Sequence, residues 1–408
     1  MSSLFAPLAP ETSVDGPPSR VLHILPDLQI GGGQTIVLNG LRYADRSRFS
    51  HAVCYLLEDD EMLPAFVEAG YPPCRVPHRD GRGLATVQAL SKLIRSEHID
   101  LIHLHSDLDR TYGQPAALLT RTPVVSHLHG AWVHFGPKYP ESPTTLQQVR
   151  ARVLAQVRDR IERRTVRHYL AESVDVEELF EPLVDVPITV VQQSMPVDGF
   201  DAASSSGARD RVRRELGVGD VPLLINVSRL VDGKGQEHLV AAMASLRDAH
   251  PDAVLVLVGD GERRSLVEDE VTRAGLGDRV RFLGNRFDVP DLLTAADVFV
   301  FGSETEGFGM VALEAMAARK PVVAFRLPAL QEFVSDGTTG YLVDLLDVPG
   351  LTRAIDALLT EPARAGDMGA AGRRVVDEQF RPSATATSFE TAYRAVLGAT
   401  VPRAVKGT

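Results

Sequence analysis

The 408-residue sequence predicts an α/β protein made of two doubly wound domains with parallel sheets. Short apolar runs alternate with longer helical patterns along most of the chain, and this alternation is typical of parallel sheets with crossover helices. The length exceeds what one hydrophobic core comfortably supports, so two domains of roughly 200 residues each are expected. A serine-rich stretch lies near the middle, and the alternation begins again after it.

The first half begins with strand and helix patterns in regular order. Strands are predicted at Arg20–Pro26 and His51–Leu57, and two more in "DLIHLHS" and "PVVSHLHG". The glycine run Gly31–Gln34 predicts a turn that leads into a helix. An arginine-rich amphipathic pattern then predicts one long helix over Gln147–Leu170, next to the strand ending "HYLAES".

The second half repeats this organisation after a predicted linker at Asp201–Asp210, "DAASSSGARD", whose composition is typical of a flexible connection. Six strand patterns follow: "PLLINVSRL", "AVLVLVGDG", "RVRFLGN", "DVFVFGS", "PVVAFRL" and "GYLVD". We therefore expect a disordered lead-in over 1–18, an N-terminal domain over 19–199 that includes a closing helix from 384–408, and a C-terminal domain over 200–383.

Composition excludes several classes of protein. The net charge of -11 argues against a general nucleic-acid binder. No apolar run approaches the ~20 residues of a membrane span, and the N-terminus lacks the charged and apolar regions of a signal peptide. Two cysteines, Cys54 and Cys74, form neither a zinc site nor a disulfide framework. A cytoplasmic protein is expected.

Two of the three carboxylates in the stretch Ser303–Ala317, Glu306 and Glu314, lie in an unusual setting. The stretch predicts a loop at the carboxyl end of a buried strand and then a helix, and Glu314 has only apolar neighbours on that helix. A buried carboxylate without a partner costs several kcal/mol or more. Glu306 lies in the loop, so both carboxylates can face one ligand. The alternative is an acid that favours the helix dipole, with Glu314 half exposed.

Two cations and two histidine pairs are further candidates. Arg229 and Lys234 lie in a strand-to-helix turn, where they can neutralise a diphosphate or remain a solvated surface pair. The pairs in "HLHS" and "HLHG" each place two histidines on one face of a strand. We expect structural histidines here and no metal site, because carboxylate ligands are not placed nearby.

Glu306, seven residues and then Glu314, within "EGFGMVALEAMA", resemble the E-x7-E signature of the retaining nucleotide-sugar glycosyltransferases of family 4, which have the GT-B fold. The segments "NVSRLVDGKGQEHLVAAM", "VLVGDGERRSLVED", "GGGQTIVLNGL" and "FETAYRAVL" are similar to other family segments in the same order. The resemblance covers about residues 20 to 398. It implies two Rossmann-like domains that face a central cleft, with a C-terminal helix that returns to the N-terminal domain.

The resemblance also implies roles for individual residues. It places the diphosphate of the donor on Arg229 and Lys234, the ribose hydroxyls on Glu314 and a donor-sugar hydroxyl near Glu306. The backbone of Phe308, Gly309 and Met310 is expected to contact the same sugar. The loop with Gly32 and Gly33 would close over the phosphates, and His129 would stabilise charge near the donor sugar.

The acceptor is less well specified. His105, Trp132 and Tyr139 are weak candidates for its pocket. The resemblance implies a hydroxyl acceptor and no required cofactor or metal, and UDP is the expected nucleotide on family frequency. Contact of the arginine-rich helix with a membrane is not favoured, because its arginines are scattered around the helix.

Three alternative functions remain open. A sugar-nucleotide epimerase or hydrolase, or a non-catalytic nucleotide-sugar binder, can use the same fold. A nicotinamide dehydrogenase is disfavoured, because no G-x-G-x-x-G fingerprint is present.

The sequence departs from the family at two places. Pro328 and Ala329 replace a Gly-Gly pair near the diphosphate, and Gln193–Ser194 replaces an Asn-Gly pair.

Overall fold

The computed structural model of the chain describes residues 17–78, 83–128 and 145–398, with side chains from residue 154 onward in the last range. The chain folds into two compact units. The first unit runs to Ser194 and resumes at Ser383, and the second comprises Met195–Pro382. Each unit contains one parallel sheet, which confirms the predicted fold class.

The first unit has seven parallel strands in the order β3-β2-β1-β4-β5-β6-β7. The strands are β1 (Ser19–Leu25), β2 (Phe49–Tyr55), β3 (Cys74–Arg75), β4 (Leu101–Leu104), β5 (Val124–Leu128), β6 (Val166–Ala171) and β7 (Ile188–Val190). The helices are α1 (Gly32–Arg42), α2 (Leu63–Glu68), α3 (Gly83–Ser96), α4 (Asp107–Thr120), α5 (Thr145–Thr165) and α6 (Val174–Phe180), with a 3₁₀ turn at Glu181–Leu183 and α16 (Ala384–Gly398) at the end.

Alternating side chains of the strands supply the two faces of this sheet. Leu22 and Ile24 of β1 belong to an apolar core shared with α3 and α4, since strand neighbours point to opposite faces. The other face is covered in part by α16, which packs closely on α1. A Cβ atom at Gly40 would lie 2.7 Å from the ring of Phe389, so glycine permits this approach. The C-terminal helix thus returns to the first unit, as expected.

The second unit has six parallel strands in the order β10-β9-β8-β11-β12-β13. They are β8 (Leu223–Val227), β9 (Val254–Val258), β10 (Val280–Phe282), β11 (Val298–Phe301), β12 (Val322–Phe325) and β13 (Gly340–Val343). The helices are α7 (Asp198–Ser205), α8 (Ala208–Leu216), α9 (Gln236–Ser245), α10 (Arg264–Arg273), α11 (Val289–Ala295), α12 (Met310–Ala317), α13 (Pro328–Gln331), α14 (Val348–Thr360) and α15 (Pro362–Gln379).

The strand order of the second unit locates its binding edge. Successive strands are added on one side of β8 and then, from β11, on the other, so the order reverses between β8 and β11. Ligands of doubly wound sheets bind outside the carboxyl ends of the strands at such a reversal. The loops that follow β8 and β11 are therefore the first place to look for a site.

Two predictions about local structure are wrong. Asp201–Asp210 is not a linker, because it lies in α7 and α8, with a left-handed Gly207 between them. The Arg373 guanidinium donates to both carboxylate oxygens of Asp201, at 2.7 and 2.9 Å, so tertiary contacts stabilise helix in a serine-rich stretch. The predicted helix over Gln147–Leu170 ends at Thr165, because the β-branched and aromatic residues that follow form β6.

Three further expectations concern the two cysteines, membrane-spanning helices and the amino-terminal residues. Cys54 and Cys74 are free thiols at partnered positions of β2 and β3. Within the described ranges, no helix combines the length and the apolar character that a membrane crossing needs. Most of the predicted lead-in lies outside the described residues.

Candidate functional site

The loops after β8 and β11 touch each other through glycine backbone. Gly235 has a φ of +61°, and a Cβ atom there would lie 1.9 Å from the carbonyl oxygen of Gly302. The Glu304 N–H donates to the Gly233 carbonyl at 2.9 Å, and the Ser303 hydroxyl oxygen lies 3.3 Å from the same carbonyl oxygen. Only glycine fits such an approach, which brings Lys234 to the loop that carries Glu306.

Lys234 and Glu306 form an ion pair at this contact. The Lys234 ammonium lies 2.5 Å from Glu306 Oε1, and the Ser303 hydroxyl donates to the same oxygen at 2.7 Å. The side chains are 22% and 12% exposed, so the pair is largely shielded from water. A predicted phosphate-binding cation and a predicted sugar-binding carboxylate are therefore direct neighbours.

The helix α12 begins directly after this loop with an open amino end. Gly309, its N-cap, has a φ of +88° and provides no side-chain cap. Among the described residues, no carbonyl or side chain accepts a hydrogen bond from the N–H groups of Phe308 or Gly309. The Phe308 ring is buried against Phe333, 5.0 Å away, so the backbone of this residue is what remains for a ligand. Such an end favours anionic or polar groups.

Glu314 lies in the second turn of α12 and has no partner of its own. Within the described part of the chain, its carboxylate receives no hydrogen bond and no ion pair, although it is only partly exposed. Desolvation by the surrounding protein raises its pKa to about 7. The structure thus places a carboxylate without a protein partner, among the described residues, where the sequence pattern was unusual.

Arg229 lies beside this region and is exposed. No carboxylate of the described residues lies within ion-pair distance of its guanidinium. Its backbone is held in place, because the Gln236 amide donates to the Arg229 carbonyl at 3.0 Å and to the Ser228 hydroxyl at 2.8 Å. Gly259 also approaches Ser228, since a Cβ atom there would lie 2.1 Å from the Ser228 carbonyl.

Three positioning residues were missed by the sequence analysis: Ser303, Gln236 and Asn226. Asn226 accepts a hydrogen bond from the Ser228 hydroxyl at 2.9 Å and donates to the Val300 carbonyl at 2.9 Å, so it links β8 to β11. In the sequence, Asn226 and Gln236 flank the two cations at the ends of "NVSRLVDGKGQ", and this position could have indicated their role. The contact of Asn226 with the Val300 carbonyl across the sheet cannot be predicted from the sequence.

The glycine loop of the first unit becomes the first turn of α1. Gly31 is the N-cap in an extended conformation, and a Cβ atom at Gly32 would meet no atom within 4 Å. The Gln34 amide donates to Asp27 at 2.9 Å, which joins the start of this helix to the end of β1. Space beside Gly32 suits a close ligand, and the roles of Gly32 and Gly33 stay predictions.

Five buried histidines form a layer on one face of the first sheet, and we call it the histidine layer. Its members are His23, His51, His103, His105 and His127. Ring nitrogens of His23 lie 3.1 Å from those of His105 and of His51. His103 bonds the Tyr393 hydroxyl of α16 at 2.7 Å.

Burial in this layer lowers two pKa values. Desolvation, followed by the charge of His51, holds the pKa of His23 well below its usual value. Desolvation, followed by the nearby Arg46, lowers the pKa of His51 to about 3. His105, a weak acceptor candidate, is 3% exposed and lies within this layer. The other acceptor candidates, Trp132 and Tyr139, and the catalytic candidate His129 lie outside the described residues.

Two groups of side chains have the spacing that a metal ion needs. The ring nitrogens of His23, His103 and His105 lie within 4.8 Å of one another. Glu237, His238 and Glu304 form the second group, in which His238 bonds Glu304 at 3.1 Å. Arg263 also donates to Glu237 at 3.2 Å, so a cation would compete with that arginine. No metal site was expected from the sequence, and neither group was anticipated there.

Comparison with known families gives two adjacent matches. Residues 30–193 match the family described as Glycosyltransferase Family 4, and residues 208–375 match Glycosyl transferases group 1. A GDP-mannose-dependent monoacylated alpha-(1-6)-phosphatidylinositol monomannoside mannosyltransferase of Corynebacterium glutamicum is 30% identical over 313 residues, which are 72% of this chain and 76% of that protein.

Another relative matches over a shorter span. A GDP-mannose-dependent alpha-(1-6)-phosphatidylinositol monomannoside mannosyltransferase of Mycolicibacterium smegmatis is 39% identical over 186 residues. That match covers 43% of this chain and 49% of the relative, so it spans about half of the relative's length.

Solved structures agree with the fold. Anabaena Alr3699/HepE, in complex with UDP and glucose, superposes with a TM-score of 0.77 at 22% identity, over 93% of this chain and 99% of that one. WaaG, a glycosyltransferase involved in lipopolysaccharide biosynthesis, has a TM-score of 0.71 at 18% identity, over 91% and 99%. At these identities the likeness shows the GT-B fold alone.

Proposed function

The chain belongs to glycosyltransferase family 4, and from that premise we propose that it moves a hexosyl group from a nucleoside-diphosphate sugar to an acceptor hydroxyl with retention of configuration. The observation that carries this proposal is Glu314. A partly buried carboxylate with a pKa raised to about 7 and no protein partner among the described residues is costly, and two ribose hydroxyls supply the missing hydrogen bonds.

The neighbouring groups suit the rest of a donor. Arg229 has no carboxylate partner among the described residues, and Lys234 has only Glu306, so both can meet a diphosphate. Charge-assisted hydrogen bonds of this kind contribute about 1.5–3 kcal/mol each. The open amino end of α12 adds N–H donors for the donor sugar.

The chemistry then proceeds on one face of the sugar. The acceptor oxygen forms a bond to the anomeric carbon as the bond from that carbon to the diphosphate oxygen breaks. The leaving diphosphate takes the proton of the acceptor hydroxyl and departs with the bonding electron pair. Lys234 and Arg229 stabilise the charge that grows on the leaving group, and Glu306 holds a hydroxyl of the donor sugar in place.

Donor and acceptor identity are finer questions. UDP was expected from family frequency, whereas the Corynebacterium and Mycolicibacterium relatives are named for GDP-mannose. Binding measurements with both nucleotides separate these donors. The acceptor is proposed to be a hydroxyl of a small molecule, glycan or lipid-linked glycan. Relatives named as transferases and synthases give no support to an epimerase, a hydrolase or a non-catalytic binder.

The test is binding of UDP, GDP and ADP to the full chain, measured by calorimetry and thermal shift. A ligand at 100-fold excess over its Kd stabilises a protein by about 2.7 kcal/mol, which is readily measured. We expect selective binding of one nucleotide, which Arg229→Ala weakens about tenfold or more. Arg273→Ala, an exposed arginine on α10, is the matched control and should leave binding unchanged.

Two outcomes would contradict the proposal. If none of the three nucleotides binds, Glu314 has no nucleotide to hold, and the family resemblance remains one of fold. Equal loss of binding in Arg229→Ala and Arg273→Ala would mean that the phosphates bind elsewhere.

A further inference from the structure

A cavity of about 380 Å³ lies in the second unit at the edge of the sheet opposite the candidate donor site. Pro222, Asp297 and Pro321 line it, and they directly precede β8, β11 and β12. The donor candidates follow the carboxyl ends of β8 and β11. The cavity is therefore at the amino ends of the same strands, and its volume is within the range of small-molecule pockets.

The cavity has an apolar wall and a cationic rim. Leu358, Leu359 and Pro362, from α14 and α15, supply apolar surface. Arg319 and Lys320 contribute positive charge at the connection between α12 and β12. Such a combination suits a ligand with a carbon skeleton at one end and an anionic group at the other.

Three cations and two acids line the cavity, so one positive charge is in excess. Asp297 already accepts hydrogen bonds from Arg209 at 2.9 Å and from Arg213 at 2.7 Å, so two guanidinium groups balance its charge. Asp220 is exposed. Lys320 is half buried and donates to the Thr294 carbonyl at 2.9 Å, and burial with the neighbouring Arg209 lowers its pKa to about 8.

Arg319 stands where glycine would be easier to accommodate. The Lys320 N–H donates to the Ala315 carbonyl and the Arg319 N–H to the Met316 carbonyl, which is the hydrogen-bond pattern of a Schellman motif. Arg319 occupies its left-handed position with a φ of +60°, at a cost of about 1–2 kcal/mol for a residue with a Cβ atom. Arg319 is exposed and lines the cavity, and no carboxylate of the described residues pairs with it.

One acid that Arg319 influences is occupied by another arginine. Asp201 feels the charge of Arg319, but both of its oxygens accept hydrogen bonds from Arg373.

We propose that this cavity binds a small organic phosphomonoester, with the phosphate held by Arg319 and Lys320 and the carbon skeleton against Leu358, Leu359 and Pro362. A phosphate group suits this rim, because a guanidinium and an ammonium can each form a charge-assisted hydrogen bond to its oxygens. This site is separate from the donor site and does not depend on the proposed function.

The test uses phenyl phosphate as the probe, with the full chain and isothermal calorimetry. We expect millimolar or tighter binding to the unmodified protein, and no binding of phenol, which lacks the phosphate. Arg319→Gly should weaken binding about tenfold or more through the loss of a charge-assisted contact. Glycine fits the left-handed position, so this variant should melt at the same or a higher temperature, and a loss of binding cannot be ascribed to unfolding.

Matched variants separate this site from the donor site. Arg273→Ala should bind phenyl phosphate as the unmodified protein does. Arg229→Ala should also bind it normally, because Arg229 follows β8 at the opposite edge of the sheet. The proposal is overturned if phenyl phosphate does not bind at millimolar concentrations, if Arg319→Gly binds it unchanged, or if the Arg229→Ala variant is the one that loses binding.

Discussion

The histidine layer of the first unit and the binding edge of the second unit both place polar groups where apolar residues are usual. In the histidine layer, both ring nitrogens of His23 bond neighbouring histidines and His103 bonds Tyr393, so the chain supplies partners for these polar atoms, while Nε2 of His51 is buried without a hydrogen-bond partner among the described residues. At the binding edge, Glu314 has no partner within the described residues and Arg229 has no counterion there. Polar groups that bond one another stabilise a fold, whereas charged groups left without a protein partner at a binding edge favour a ligand.

The strongest test of this comparison concerns the glycine contact that assembles the binding edge. Gly235→Ala places a Cβ atom 1.9 Å from a backbone carbonyl at a φ of +61°. We expect the free energy of unfolding to fall by about 3 kcal/mol or more, or the loop to move and separate Lys234 from Glu306. Urea unfolding and nucleotide binding measure the two outcomes.

Two other glycines provide the controls for that variant. Gly207→Ala has a similar φ of +71° with open space around it, so it should cost only about 1 kcal/mol. Gly40→Ala would meet the Phe389 ring beside the histidine layer, and a ring can shift where a carbonyl cannot. If Gly235→Ala costs no more than Gly207→Ala, the close contact is not essential to the site.

A second test asks whether the ion pair at the binding edge is part of the chemistry. Glu306→Gln removes the charge that faces Lys234 and the acceptor for a sugar hydroxyl. Turnover should fall about 10²-fold or more while the melting temperature changes little. Steady-state kinetics with the nucleotide sugar identified by binding measures the effect. Glu304→Gln, two residues away and paired with His238, should change turnover far less; equal losses would refute a specific role for Glu306.

A third test concerns the histidine layer and pH. The pKa of His51 is 6.5 in an unfolded chain and about 3 in the folded protein, so between these values the unfolded chain binds more protons. The free energy of unfolding should therefore fall as pH drops below 6.5, by about 2 kcal/mol from this group at about pH 5. His51→Gln should reduce the slope in urea unfolding. His98→Asn, an exposed histidine, should leave it unchanged, and equal slopes in all three proteins would contradict the prediction.

The smallest expected effect is a gain in stability. The folded pKa of Glu314 is about 7, against 4.5 when unfolded, so the folded protein binds more protons between these values and loses stability as pH rises through them. Glu314→Gln should raise the free energy of unfolding at pH 8 by about 1–2 kcal/mol and weaken nucleotide binding about tenfold. Glu378→Gln, an exposed control on α15, should do neither. A Glu314→Gln protein that is less stable would show that the carboxylate has a structural partner.

Local patterns in the sequence predicted much of the second unit. The strand-loop-helix order around Glu306 and Glu314 follows from apolar runs and glycines within a few residues of each other, and the structure places both where expected. The linker prediction failed because composition alone does not show that Arg373, far along the chain, would hold Asp201 in a helix.

Contacts between distant residues were the part that the sequence left open. Lys234 and Glu306 are 72 positions apart, and their meeting depends on the strand order β8-β11 and on the approach of Gly235 to Gly302. Three members of the histidine layer, His103, His105 and His127, were visible in the two sequence pairs, but His23 and His51 joined them only through the register of β1 with its neighbours. The alternation of residues within one strand predicts which side chains share a face of the sheet. Which strands lie beside that strand depends on the topology of the whole sheet.

By itself, the sequence determined the parallel α/β architecture, the helix with an isolated carboxylate and the cations in the turn after β8, because these depend on spacing within one element. Only the tertiary structure decided which polar side chains would have hydrogen-bond or ion-pair partners. It bonded His23 to His51 and His105, and left Glu314 and Arg229 without partners among the described residues. The physical reason is that hydrogen bonds and desolvation depend on distances of a few ångströms between residues far apart in the chain.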